Sequence, residues 1–318
     1  MKRILAAILL AVMMLSLASC GGASVMTMGT GSPTGTYYAY GGVLGQYITN
    51  NAGITANAVS TGGSKDNIQG IANGDYQLGT VQSDVMHYAW NGTRSFEEDG
   101  KITSFKTVAG LYAEAVQLVT VNADIKSVAD LKGKKVSIGA PGSGVYFNAM
   151  DVLGAAGIAL EDITPQYQNF DESADALKDG KIDAAFIVAG APTPAITELS
   201  MTNANTRVVA IDGDIAKKLM EDNTFYSVYK IPANTYSNQT EEVVTVTVKA
   251  TLIVSADASE DDVYNLTAAI FDNKDSIKKE HAKGVELSLE NATEGLTVPF
   301  HAGAAKYFKE KGIEVEVE

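Results

Sequence analysis

Asp130-Leu131-Lys132-Gly133-Lys134-Lys135-Val136-Ser137-Ile138-Gly139-Ala140-Pro141-Gly142-Ser143-Gly144-Val145 is the stretch that decides the fold. It reads as a short helix, a turn at Lys132-Gly133, a strand at 135–138, a glycine-rich turn at 139–144 and a helix running on through Leu153. A strand that passes through a tight turn into a helix is the repeating unit of a parallel sheet with helices on its faces.

The same rhythm recurs on both sides. Upstream, strands at 25–28, 54–59 and 77–81 alternate with turns at 31–35 and 61–64 and helices at 37–50 and 65–73. Downstream, strands are expected at 116–121, 182–188 and 206–211, with Gly190 to Pro194 breaking the second. A long β-branched run follows at 243–254, then helices at 261–272 and 301–311. The expected class is α/β: two units, each a mostly parallel sheet flanked by helices, joined by strands that act as hinges, with the last stretch returning to the first unit.

The amino-terminal end carries an address. Lys2 and Arg3 precede an apolar run from Ile4 to Leu17, too short for a permanent span. Leu17-Ala18-Ser19-Cys20-Gly21 resembles a bacterial lipobox, so residues 1–20 are expected to be a lipoprotein signal, Cys20 the lipidated residue and 21–24 a short tether. Cys20 is the only cysteine, which leaves no internal disulfide and no cysteine-based metal site. The chain holds 38 acidic against 24 basic side chains, for a formal net charge of −14. A surface of that sign repels nucleic acid and anionic lipid head groups.

Chemistry is concentrated in three turns: Gly29-Thr30-Gly31-Ser32-Pro33-Thr34-Gly35-Thr36-Tyr37-Tyr38, Ser60-Thr61-Gly62-Gly63-Ser64, and Gly139-Ala140-Pro141-Gly142-Ser143-Gly144. Each offers backbone N–H groups and a hydroxyl at a helix N-terminus, where negative charge is favoured, at the strand ends where open α/β sheets bind ligands. None carries the Gly-Lys-Ser/Thr ending of a phosphate loop. Beyond Arg3 the only arginines are Arg94 and Arg207, outside these turns, so an arginine clamp is not expected; Lys65 is the nearest cation. The pattern favours small carboxylates over phosphates. His87, His281 and His301 have no metal-ligand spacing and no Gly-x-Ser-x-Gly elbow is present, so neither enzymatic activity nor a cofactor is expected; His301 reads as a cap for the last helix.

Several segments together resemble the TAXI family, the solute-binding receptors of TRAP transporters, from about Met26 to Phe308. They are Gly35-Thr36-Tyr37-Tyr38, Thr61-Gly62-Gly63-Ser64 with Asn67, the opening stretch above, Asp179-Gly180-Lys181-Ile182-Asp183-Ala184-Ala185-Phe186, Gly190-Ala191-Pro192 and His301-Ala302-Gly303-Ala304. Phe300 and Ala302 depart from the leucine and proline usual around that histidine.

The resemblance implies a type II periplasmic-binding-protein fold, with lobe one formed by 25–112 plus 248–318 and lobe two by 113–247. It also implies an extracytoplasmic monomer, held at the membrane through the lipid on Cys20. Such a receptor captures a small organic anion (a glutamate-like amino acid or a dicarboxylate) and delivers it to TRAP membrane permease subunits. The alternative partners are an ABC importer or a sensor. The expected ligand residues are Thr36, Tyr37, Tyr38, Gly63, Ser64, Gln82 and Ser83 on lobe one, Tyr112 and Glu114 at the first crossing, and Gly142, Ser143, Gly144, Ala189 and Pro192 on lobe two. Glu114 is placed to meet an ammonium if the solute is an amino acid.

Overall fold

The computed structural model describes residues 24–318, the side chain of Ser95 excepted. The signal segment 1–20, with Cys20, lies outside the described residues, as does the tether apart from Ser24.

The first half of the chain alternates as its apolar pattern predicts: β1 (Ser24–Gly29), α1 (Thr36–Asn51), β2 (Ile54–Val59), α2 (Ser64–Asn73), β3 (Leu78–Gln82) and α3 (Ser83–Asn91). Gly74 and Gly92 close α2 and α3 in the left-handed conformation, which glycine adopts without steric cost. A long strand, β4 (Phe105–Thr120), leads into β5 (Lys135–Ser137), α4 (Val145–Ala155), β6 (Thr164–Gln166), α5 (Phe170–Lys178), β7 (Ala184–Ala189) and α6 (Pro194–Thr202). Then follow β8 (Arg207–Val209), α7 (Gly213–Asp222), β9 (Ser227–Ile231) and a second long strand, β10 (Val243–Ser255). The chain finishes with α8 (Glu260–Phe271), α9 (Lys274–Glu280), α10 (Leu289–Thr293) and α11 (Ala302–Glu310). His301 caps α11, its Nδ1 accepting from the Gly303 N–H at 3.2 Å, as the sequence suggests.

The strands form one sheet in the order β2-β1-β3-β10-β4-β7-β5-β6, with β8 on β4 and β9 on β10. The wings are parallel, β2-β1-β3 at one end and β7-β5-β6 at the other. The centre is not. β10 runs antiparallel to β3 and β4, and β4 antiparallel to β7. The expectation of mostly parallel sheets therefore holds for the wings and gives way to a mixed sheet, because β4 and β10 pass from one lobe to the other in opposite directions. β4 is also longer than expected, beginning at Phe105 rather than Val116. Its 16 residues are nearly all buried on both faces, and a doubly covered strand lacks the alternation that marks strands in sequence.

Each lobe has its own core. Met28, Leu44, Ile48, Leu266 and Phe308 centre the first, and Val136, Val152, Leu153 and Phe186 the second. Along β4, Tyr112 packs in the first and Val116 in the second; along β10, Ala250 packs in the first and Val248 in the second. On that change of core we propose a lobe boundary at 112/113 on β4; on β10 the change falls between Val248 and Ala250, just after the expected 247/248.

Asn67 fixes the first two turns to the sheet. Fully buried, its Nδ2 donates to the Thr30 and Thr80 carbonyls, each at 2.7 Å, and its Oδ1 accepts from Thr61 Oγ1 at 2.7 Å. Asn67→Ala strands two carbonyls and a hydroxyl, so unfolding by urea is expected to show a loss of about 2–4 kcal/mol.

Candidate functional site

Where the carboxyl ends of the strands meet the helix starts, the two lobes touch and enclose a cavity of about 60 Å3. In that measure a water needs about 10–15 Å3, so the space holds about four to six water-sized groups. Lobe one lines it with Gly31, Ser32, Gly35, Thr36 and Tyr37 from the first turn, residues 61–64 from the second, and Gln82 from the end of β3; Glu114 enters from the middle of β4, at the crossing between the lobes. Lobe two contributes Ala140, Ser143, Gly144, Val145, Gln168, Asn169, Phe170, Val188 and Ala189.

The lobes are closed, and backbone does much of the closing. Gly142 O accepts from the Lys65 and Asp66 N–H groups at 3.0 and 3.2 Å. Thr36 Oγ1 donates to the Gly190 carbonyl at 3.0 Å, Ser32 Oγ to Asp171 at 2.9 Å, and Gln82 Nε2 to Asn148 Oδ1 at 2.5 Å.

This changes the meaning of the glycines. A Cβ on Gly62 would stand 3.2 Å from the Pro141 carbonyl, one on Gly190 2.7 Å from Lys283 Cε, and one on Gly144 only 1.3 Å from Gln82 Oε1. The turns are bare so that the lobes can meet. It also corrects the second turn as an anion cradle: the two N–H groups at the start of α2 are taken by Gly142 O. Lys65 likewise turns away, its ammonium 3.1 Å from Asp99 and 4.9 Å from the centre of the Phe96 ring.

What remains for a solute lies at α1 and α4. The N–H groups of Thr36, Tyr37, Val145 and Tyr146 find no partner among the described residues. Four buried polar atoms of the lining are also unpartnered: Tyr37 OH, Glu114 Oε2, Ser143 Oγ and Gln168 Oε1. Buried polar groups are ordinarily paired, so this concentration is where a ligand would complete the set.

Among the described residues Glu114 is the only acidic or basic side chain of the lining apart from the Tyr37 phenol, and it is 1 % exposed. Burial pushes its carboxyl up to about 8; the nearby Tyr37 and Tyr112 hydroxyls and the Lys283 ammonium pull downward, and the Asp84 carboxyl adds to the rise. Both hydroxyls lie within electrostatic reach but outside hydrogen-bond geometry. Burial and Glu114 in turn push both phenols well above their usual range.

Of the residues expected from the sequence, the structure brings Thr36, Tyr37, Gly63, Ser64, Gln82, Glu114, Ser143, Gly144 and Ala189 together on the cavity. The others sit elsewhere. Tyr38 is 39 % exposed; Ser83 is buried and accepts from the Lys249 N–H; Tyr112 packs behind Glu114 in the first core. Gly142 serves the lobe contact, and Pro192, after a cis peptide bond, is off the lining. Sequence reading missed Gln168, Asn169, Phe170 and Val188. The signal for the first three was an Asn169 and Glu172 capping box opening α5 after a strand.

Two lobes on one mixed sheet, linked by β4 and β10 and closed over a cavity at the strand ends, define a type II periplasmic-binding-protein fold. The chain belongs to the NMT1-like family, whose sequence pattern matches residues 28–312. Solved structures of this fold include the alkanesulfonate-binding protein SsuA from Xanthomonas axonopodis pv. citri bound to MOPS (16% identity, 91% of each chain covered, TM-score 0.50). Others are an ancestral arginine-binding protein bound to arginine (16%, 82% of this chain and 98% of that one, TM-score 0.52) and the GluR0 ligand-binding core from Nostoc punctiforme with L-glutamate (16%, 82% and 100%, TM-score 0.51). At such identities the likeness is one of fold. No described helix is long and apolar enough to cross a membrane.

Proposed function

We propose that this protein is an extracytoplasmic solute-binding receptor of the TAXI kind, lipid-anchored at Cys20, that closes on a small amino acid and presents it to a TRAP-type permease. The observation that carries the solute class is Glu114: a buried carboxyl with an unpartnered oxygen is, among the described residues, the one carboxyl of a cavity lined by no lysine, arginine or histidine. A dicarboxylate would bring two negative charges to that carboxyl. An α-amino acid brings its ammonium to Glu114 and leaves its carboxylate for the free N–H groups and the Ser143 hydroxyl at the starts of α1 and α4. The cavity volume favours small side chains; glutamate needs the lobes slightly further apart. Binding selects the closed arrangement about β4 and β10, because only there do both sets of groups face one solute.

Neighbouring genes separate the partners, a multi-span permease supporting TRAP delivery and an ATPase an ABC importer. The solute class is tested by thermal shift. A ligand that binds only the folded chain at 100 times its dissociation constant adds about 2.7 kcal/mol, a rise of several degrees. That rise is expected for an L-amino acid and absent for sugars and phosphonates; a response only to the latter would reject the class. Ser143→Phe is expected to abolish the shift without unfolding the protein.

A further inference from the structure

Next to the solute cavity, a second set of polar contacts joins the lobes. Asn148, on α4 of lobe two, is fully buried, and its whole amide is engaged. Its Oδ1 accepts from Gln82; its Nδ2 donates to Asp84 Oδ2 at 3.1 Å and to Tyr226 OH at 2.8 Å. The Tyr226 hydroxyl donates on to Asp151 Oδ2 at 3.0 Å, and Asp151 pairs with Arg94. This chain accounts for every member except Asp84. That residue is fully buried at the start of α3, and its Oδ1 has no hydrogen-bond partner. The donors that could have met it are already spent: the Tyr226 proton goes to Asp151, and both Asn148 protons are used.

We propose that Asp84 is the closure sensor of this receptor: the lobes shut on a protonated Asp84, and an ionised Asp84 pushes them apart. The inference rests on the reading of the chain as two lobes that open and close, and not on the identity of the solute. Its groups divide between the lobes, with Asp84 and Gln82 on lobe one and Asn148, Tyr226 and Asp151 on lobe two. Opening therefore exposes Asp84 to water, whereas closing buries it with one side-chain donor and a second carboxylate close by.

Among the described residues, none supplies a cation to Asp84. On its own helix Tyr88 faces it, and from β4 the carboxyl of Glu114. Arg94 is held by Asp151 and lies over the Tyr88 ring, 5.1 Å from its centre. On α2, Lys65 pairs with Asp99 and Asp66 accepts from the Gly62 N–H; on β10, the Lys249 ammonium is held by the Asn291 and Glu294 carbonyls. Burial pushes the Asp84 carboxyl up to about 7 and the charge on Asp151 adds to it, against the pull of the Val85 N–H and the Asn148 amide. In the open form the carboxyl returns toward its ordinary range, so closing takes up a proton between the two values. Closure is complete in acid and is lost as pH rises through 7.

The Lys65 and Asp66 amides, which bond to Gly142 O only when the lobes meet, report closure without any solute. In the unliganded full chain carrying Glu114→Gln, which removes the other buried carboxyl, hydrogen exchange is measured from pH 6 to pH 8. Protection of these two amides, corrected for intrinsic rates, is expected to fall about tenfold. Adding Asp84→Asn is expected to abolish the pH dependence and leave protection at the acid level. Asp151→Asn, which removes the like charge, is expected to move the midpoint to lower pH. Amides of β10 serve as the control for an intact fold. A tenfold loss that persists in Asp84→Asn overturns the proposal. So does the absence of a loss in the Glu114→Gln parent. Should Asp84→Asn not fold, an unmoved midpoint in Asp151→Asn overturns it. No solute enters these measurements, so a wrong solute class leaves their outcome unchanged.

Discussion

Gly144→Ala is expected to weaken solute binding by about 10- to 100-fold while leaving the unliganded protein folded. Gly144 caps α4 with φ −73° and ψ −20°, a conformation alanine adopts freely, so the backbone contributes no strain. The obstacle is across the cleft. The new Cβ would fall 1.3 Å from Gln82 Oε1, 2.5 Å from Gln82 Cδ and 3.1 Å from Ser64 Oγ. Gln82 cannot simply swing aside, because its amide is tied to Asn148. Overpacking of this kind costs about 1–3 kcal/mol, and here the whole cost falls on the closed state. Calorimetric titration against a solute found by thermal shift measures the loss, and circular dichroism confirms the fold. Wild-type affinity in Gly144→Ala would mean that the two lobes do not meet at this residue when solute is bound.

Glu114→Gln is the second large effect. If Glu114 receives an ammonium, its replacement leaves that charge buried beside a neutral amide, at about 2–5 kcal/mol, or at least 30-fold in affinity. The pH profile carries the sign. Below about 8 the empty cleft holds Glu114 neutral, so binding an ammonium displaces a proton. Affinity for an amino acid is then expected to rise about tenfold per pH unit up to about pH 8 and to be flat above it. Asp84 works in the opposite sense between its ordinary value and about pH 7, which flattens the wild-type curve below pH 7; the full slope is expected in Asp84→Asn. Both carboxyls are raised in the folded chain. The stability they contribute is therefore complete below their ordinary unfolded values, and it is lost as pH rises through about 7 and 8.

The α/β rhythm and the sites of the three turns were legible because glycine, proline and hydroxyl residues punctuate strand–helix junctions for local steric reasons. What those turns do was not legible. Sequence shows that Gly142 and the start of α2 both lie at strand ends; only the folded chain shows that the Gly142 carbonyl occupies the α2 N–H groups. The extent of β4 was hidden for a related reason. A strand buried on both faces and crossing between lobes carries no alternation, and Lys106, Thr107 and Gly110 interrupt its apolar run. Glu114 was singled out from its place at the crossing. Its burial without a partner, which turns it from a possible contact into the group that selects the solute, is a property of the closed lobes.

The central claim is that Glu114 chooses an ammonium-bearing solute. The most direct measurement is calorimetric titration of the wild-type chain at pH 7.5 with L-amino acids, each paired with its 2-oxo acid, which keeps the carbon skeleton and carboxylate but lacks the ammonium. The account predicts that a small L-amino acid binds at least 30-fold more tightly than its 2-oxo partner, and that Glu114→Gln removes the difference. Tighter binding of the 2-oxo acid, or a preference that survives Glu114→Gln, would contradict it.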